Sequence, residues 1–197
     1  EEGIVYSDSP TQTVGYQVQS KLKKVTHSHP MLSLAKSTDL NEIEKFINGK
    51  FVVFMLKCDG LTCSIHYKDG KLISAETRGD GTVGEDITNN IKMVSNVPLT
   101  IPVKGSVTID GEIIVKWDVF KKMNEGILEG EDFSHPRNYA SGSIRQLDTK
   151  ITKDRQLSFI AWKLIEAPLF SKHFKENLNL ITAMGFEVVP WRTYKDT

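Results

Sequence analysis

An α+β fold centred on antiparallel sheet is what this sequence predicts, on three observations. Strand-length runs, FVVFMLK, LTCSIHY, KLISAET and later VTIDGEIIV, fill much of the stretch from Phe51 to Val115, and Asp-Gly pairs of the kind found in tight turns separate them. Helical patterns flank these runs but do not alternate with them one for one, so the sheet is not expected to be parallel. No internal repeat or low-complexity stretch points to a solenoid or a linker.

The elements follow in order. Residues 1–30 are polar and irregular, broken at Pro10, Gly15 and Pro30, and read as an extended N-terminal arm that wraps the next unit, residues 31–197. STDLNEIEKFING sets Leu40, Ile43, Phe46 and Ile47 on one face of a short surface helix, with Thr38 or Asp39 as its cap and Gly49 past its end. The four runs above form the sheet. Further helices are expected in GEDITNNIKMVSN, WDVFKKMNEGI, FSHPRNYASGSIRQLD and FKENLNLITAMGF; Gly185 stops the last before a strand-like FEVVP.

Bulk properties limit the function. The 197 residues suffice for one domain with a core, and 25 basic against 25 acidic residues give no overall sign of a nucleic-acid or membrane surface. No run reaches membrane-spanning length and EEGIVYSDSP lacks signal-peptide character, which predicts a soluble, cytoplasmic chain with no membrane partner. Cys58 and Cys63, at odd spacing on an expected strand, read as reduced thiols, and a zinc site on Cys63 and His66 lacks further ligands. The chain starts without Met and its final WRTYKDT does not look like the end of a domain, so a fragment is expected.

Candidate chemistry begins at Lys57-Cys58-Asp59-Gly60. At the end of a buried strand, such a lysine would be presented from fixed backbone, with Asp59 on the same face and the apolar FVVFML supplying desolvation. Lys68-Asp69-Gly70 looks similar but reads as a solvated hairpin corner. TRGDGTVGEDIT holds Arg78 at a glycine corner suited to phosphate, and IDGEIIV puts Glu112 inside a strand, where a carboxylate fits poorly unless it faces a site. Arg137 and Arg145 stand among small residues, an arrangement able to contact backbone phosphates. Each has an ordinary structural explanation when taken alone.

Together and in this order, SDSPTQTVG, HSHPMLSL, KCDG, TRGDGTVGEDIT, DGEI, HPRNYASGSIRQLD, LSFIAW and MGFEVVP resemble the adenylation domain of NAD-dependent DNA ligases over nearly the whole chain. The resemblance implies the nucleotidyltransferase fold, unrelated to ATP-grasp, with central antiparallel sheets and flanking helices. It implies Lys57 as the nucleophile that takes AMP from NAD for nick sealing, with catalytic support from Asp59, Arg78 and Glu112. Ser33 and Leu34 would lie at the adenosine, Arg78 beside the nucleotide and Glu112 at the ribose. Mg²⁺ would be met by Asp59 and Glu112 through water, and nicked double-stranded DNA by Arg137 and Arg145.

The sequence departs from the family pattern at several positions. Met55 stands where a Glu usually contacts adenine, Asp110-Gly111-Glu112 replaces Arg-Gly-Glu, and His135 replaces Asn. The domain is expected to be truncated before its last lysine motifs, which, with an OB-fold, would come from missing domains or a second polypeptide, as in a split viral ligase working in host cytoplasm. Met55 and Asp110 favour the alternative of a non-catalytic nucleotide- or DNA-binding subunit. An ATP- or GTP-dependent ligase or capping enzyme shares KxDG but leaves TRGDGTVGED and PRNYASGSIRQLD unexplained.

Overall fold

The computed structural model describes residues 21–32, 35–125 and 133–195. In chain order the strands are β1 (Lys24–Thr26), β2 (Phe51–Met55), β3 (Leu61–Lys68), β4 (Lys71–Thr77), β5 (Val83–Glu85), β6 (Ser106–Ile114), β7 (Ser158–Glu166) and β8 (Trp191–Lys195). The helices are α1 (Leu40–Ile47), α2 (Thr88–Ile91), α3 (Trp117–Asn124), α4 (Pro136–Ile144), α5 (Thr149–Asp154) and α6 (Phe174–Ala183). The fold is α+β. Its centre is a four-stranded antiparallel sheet in the order β4-β3-β6-β7, beside two antiparallel ribbons, β1-β5 and β2-β8.

Period-two alternation gives the central strands two chemically different faces. Cys63, Ile65 and Tyr67 of β3 and Val107, Ile109 and Ile113 of β6 are buried in the apolar core with Phe159, Leu178 and Ile181. Their neighbours Thr62, Ser64 and His66 pair in register with Glu112, Asp110 and Thr108, so a polar stripe runs along the opposite face. Asp69 and Gly70 both have positive φ, 50° and 83°, which makes Lys68–Lys71 a tight hairpin corner between β3 and β4.

Several local expectations change. Asp59-Gly60 is not a hairpin corner: β2 pairs with β8, β3 pairs with β4 and β6, and the chain crosses from ribbon to sheet through residues 56–59. Lys57 therefore lies beyond its strand, which ends at Met55, and the same-face relation to Asp59 does not apply. Nor is that strand buried: Phe51, Phe54, Met55 and Leu56 are exposed, as is Lys57, so the desolvation expected from the lead-in is absent. Cys58 likewise sits in the loop; both cysteines are free thiols.

GEDITNNIKMVSN forms β5 and only the four-residue α2. Amides of Met93, Val94 and Val97 bond three residues back rather than four, and these tight turns let Ile91, Val94 and Val97 all reach the core. FEVVP contributes no full strand. Ala161 donates to the Glu187 carbonyl and accepts from the Val189 amide, both at 2.9 Å, before Pro190 interrupts the ladder. The helix predicted in STDLNEIEKFING is α1, capped by Asp39 through the Asn41 amide. Of the expected arm, the described part places β1 against β5 and buries Leu22; residues 1–20 lie outside the described residues.

Candidate active site

The polar stripe turns into a site where β3 and β6 meet the loop after β2. Gly60 makes the junction possible: a Cβ there would stand 2.0 Å from the Ile113 carbonyl oxygen. That close approach lets the Gly60 amide donate to Glu112 Oε1 at 3.2 Å, while Thr62 Oγ1 donates to Oε2 at 2.9 Å. Glu112 is 9 % exposed, and burial raises its pKa against the pull of those two hydrogen bonds and of Lys57 and Arg137. Burial and the neighbouring Glu112 carboxylate likewise raise the Cys58 thiol.

A cavity of about 490 Å³ opens at this junction, and Lys57, Arg78, Glu112, Arg137, Arg145 and Trp162 all line it. The glycine corner holds Arg78 from both sides: its amide donates to the Thr62 carbonyl at 2.9 Å, and its own carbonyl lies 2.9 Å from His27 Nε2. Asp80 secures the turn by accepting from the Thr82 and Val83 amides, both at 2.8 Å, and these bonds lower its pKa. α4 brings the other two arginines. His135 caps it by accepting from the Arg137 amide at 3.1 Å, as an asparagine in that place would, so this departure preserves the cap.

Arg137 donates to Asp59 at 3.0 Å, and Arg145 lies 2.9 Å from Glu85. The two arginines expected at DNA thus line the same cavity as Lys57. Ser33 and Leu34, expected at the adenosine, lie outside the described residues. Met55 lines the cavity, and its thioether offers at best a weak acceptor. Asp110 is almost fully buried, with His29 Nε2 at 3.1 and 3.0 Å from its two oxygens.

Sequence reasoning missed Trp162, Thr62 and His29. Trp162 is a half-buried aromatic between the buried Ala161 and exposed Lys163, and the alternation of LSFIAWKLIE could have marked it as lying on a strand. Thr62 follows from pairing with Glu112, which needs the register. His29 gave no local signal.

The profile of the family described as the NAD-dependent DNA ligase adenylation domain matches residues 19–196. A DNA ligase of Lachnoclostridium phytofermentans is 40% identical over 192 residues, covering 96% of this chain and 29% of that protein. One from Campylobacter lari is 44% identical over 191 residues, 92% of this chain and 29% of its own length. A Fusobacterium nucleatum DNA ligase is 42% identical over 194 residues, with 91% and 28% covered. The chain thus spans less than a third of the relatives it matches. With the matched profile covering nearly all of the chain and the lysine loop, glycine corner and strand carboxylate assembled round one cavity, the chain belongs to the NAD-dependent DNA ligase adenylation domain family.

Proposed function

We propose that this chain is the nucleotide-transfer module of a DNA ligase that takes AMP from NAD. The observation that carries it is the position of Lys57, exposed on the wall of a cavity whose other walls hold a buried carboxylate, Glu112, and the cation Arg78. Glu112 accepts from ribose hydroxyls, Arg78 pairs with phosphate oxygens, and Trp162 offers a π-face to the base. Lys57 Nζ, deprotonated, attacks the AMP phosphorus. An N–P bond forms, the bridging P–O bond breaks with its electron pair leaving on nicotinamide mononucleotide, and the nitrogen gives up one proton to solvent. The lysyl-AMP then supplies AMP for sealing a nick in duplex DNA, which Arg137 and Arg145 help to seat through phosphates once released from Asp59 and Glu85.

Mg²⁺ would add charge neutralisation at the phosphates. Among the described residues no group of three or more His, Cys, Asp or Glu side chains is placed to hold a metal ion, and Asp59 and Glu112 are already engaged. These residues do not form a cage for the ion, and the mechanism uses only the chain's own groups.

Intact-mass analysis and peptide mapping after incubation with NAD and Mg²⁺, alone and with the remaining domains of a related ligase, test the reading. One AMP on Lys57, lost in Lys57→Ala, is the expected result; an adduct on Lys68, or one surviving the substitution, overturns it. Met55 favours a second reading, a nucleotide-binding subunit without transfer, which predicts nucleotide binding but no adduct under any of these conditions.

A further inference from the structure

The corner that carries Arg78 is made of residues that hold their shape poorly. Gly79 and Gly81 both have positive φ, 55° and 98°, and glycine gives up more backbone freedom on ordering than any other residue. Asp80 ties the turn only from within, through the Thr82 and Val83 amides.

His27, the residue after β1, spans the same corner from outside. Its amide donates to the Thr82 carbonyl at 2.9 Å, and its ring reaches back to the Arg78 carbonyl, 2.9 Å from Nε2. A carbonyl can only accept, so Nε2 carries the hydrogen and donates it. The Arg78 carbonyl also takes the Gly81 amide at 2.9 Å, which occupies both of its lone pairs. On the other side the Arg78 amide donates to Thr62, whose hydroxyl holds Glu112.

The His27 side chain is 1 % exposed and lies over Gly84, where a Cβ would stand 2.8 Å from its Cε1. Its other nitrogen, Nδ1, has no hydrogen-bond partner among the described residues. Glu76 Oε1 is 3.6 Å from it, and that oxygen lies 2.6 Å from His66 Nε2. A buried imidazole with one nitrogen unsatisfied is a poor choice for packing alone, and the bond it does make leads to Arg78.

Resting on the phosphate role of Arg78, we infer that His27 is a positioning residue for nucleotide transfer. Its Nε2–H fixes the peptide between Arg78 and Gly79, and so the base from which the guanidinium reaches phosphate. The buried ring acts only through Arg78.

Calorimetric titration of the 197-residue chain with AMP and with adenosine tests this, because only AMP carries the group that Arg78 meets. His27→Gln sets an amide N–H near the place of Nε2 and keeps the bond, whereas His27→Asn sets its amide near Nδ1 and loses it. Circular dichroism and urea melts check folding. The parent should bind AMP about tenfold more tightly than adenosine, the scale of one charged hydrogen bond. Arg78→Ala and His27→Asn should each cut that margin to about twofold with adenosine affinity unchanged, and His27→Gln should retain it. His27→Asn added to Arg78→Ala should cost nothing more. Equal losses for AMP and adenosine in His27→Asn, an undiminished margin, or a further loss in the double variant overturn the inference while the Arg78 assignment stands. If Arg78→Ala leaves the margin intact, or the parent shows none, the phosphate role of Arg78 fails and that of His27 with it. Nitrogen-15 spectra of the parent chain decide the matter even if His27→Asn does not fold. The His27 Nε2 resonance, assigned by its loss in His27→Gln, should move on adding AMP and stay in place with adenosine; a signal blind to AMP overturns the inference.

Discussion

Arg137, which lines the cavity, meets Asp59 at 3.0 Å, joining the first turn of α4 to the residue two places after Lys57. Both side chains are about half exposed, so the pair holds geometry more than it holds the fold together. Asp59→Asn should change unfolding free energy by less than about 1 kcal/mol. AMP transfer to Lys57 should fall at least tenfold, read as single-turnover adduct formation beside a urea melt. A large stability loss with transfer intact would refute the positioning role.

Glu112 gives a pH test. Burial lifts its carboxyl above the ordinary 4.5, so through that interval the folded chain binds more protons than the unfolded chain. The associated stability is fully present below 4.5 and is lost as pH rises through the folded value. Glu112→Gln lacks this linkage. Urea melts from about pH 4 to about pH 8 should show the variant gaining on the parent as pH rises, while its nucleotide affinity drops. A difference independent of pH would contradict the assignment.

Gly111 lies on the core side of β6, where a Cβ would stand 2.2 Å from the ring of the fully buried Phe159 and 2.7 Å from the Ile160 carbonyl oxygen. Backbone cannot give way as a flexible side-chain tip can. Gly111→Ala should cost about 1–3 kcal/mol or more in chemical denaturation. Gly142→Ala in α4 meets only an ordinary 3.6 Å contact with Phe133 and should be neutral or stabilising by up to about 1 kcal/mol.

The cap on α4 can be exchanged. His135→Ala removes the acceptor of the Arg137 amide and should cost about 1 kcal/mol, whereas His135→Asn should keep most of it because asparagine caps equally well. Thermal melts of the three chains check the order. An alanine variant as stable as the parent would show that the capping bond contributes nothing.

What could be read in the sequence was mostly local. The hairpin at Asp69-Gly70, the cap at Asp39 and the alternation of LTCSIHY each depend on a few neighbouring residues. Which strands pair is not local. Asp59-Gly60 carries the same dipeptide as a true corner, yet its glycine serves a close approach to β6, a contact 53 places along the chain that no turn rule contains. The partners of Asp110 and Glu112, His29 and Thr62, likewise follow from register and from the path of the 21–32 segment over the polar stripe. Asp110 reads alone as an added negative charge near a polyanion. In the fold it is occupied by His29, and Lys163 on the facing strand supplies a cation.

The ribbon that ends two residues before Lys57 is completed from far along the chain: Met55 is the register partner of Trp191. During synthesis, β2 emerges long before β8 exists to pair with it. At about 5–20 residues per second the wait is of the order of ten seconds. Three strands of the central sheet have a shorter wait, since β3 and β4 share a tight hairpin and β6 follows soon after, with β7 joining later. A nascent chain can therefore pair β3 with β6 and set Thr62 against Glu112 while the backbone leading to the lysine is still unpaired. The strand pair that holds Glu112 and the ribbon that leads to Lys57 are thus assembled on different clocks, and the lysine loop is the later of the two.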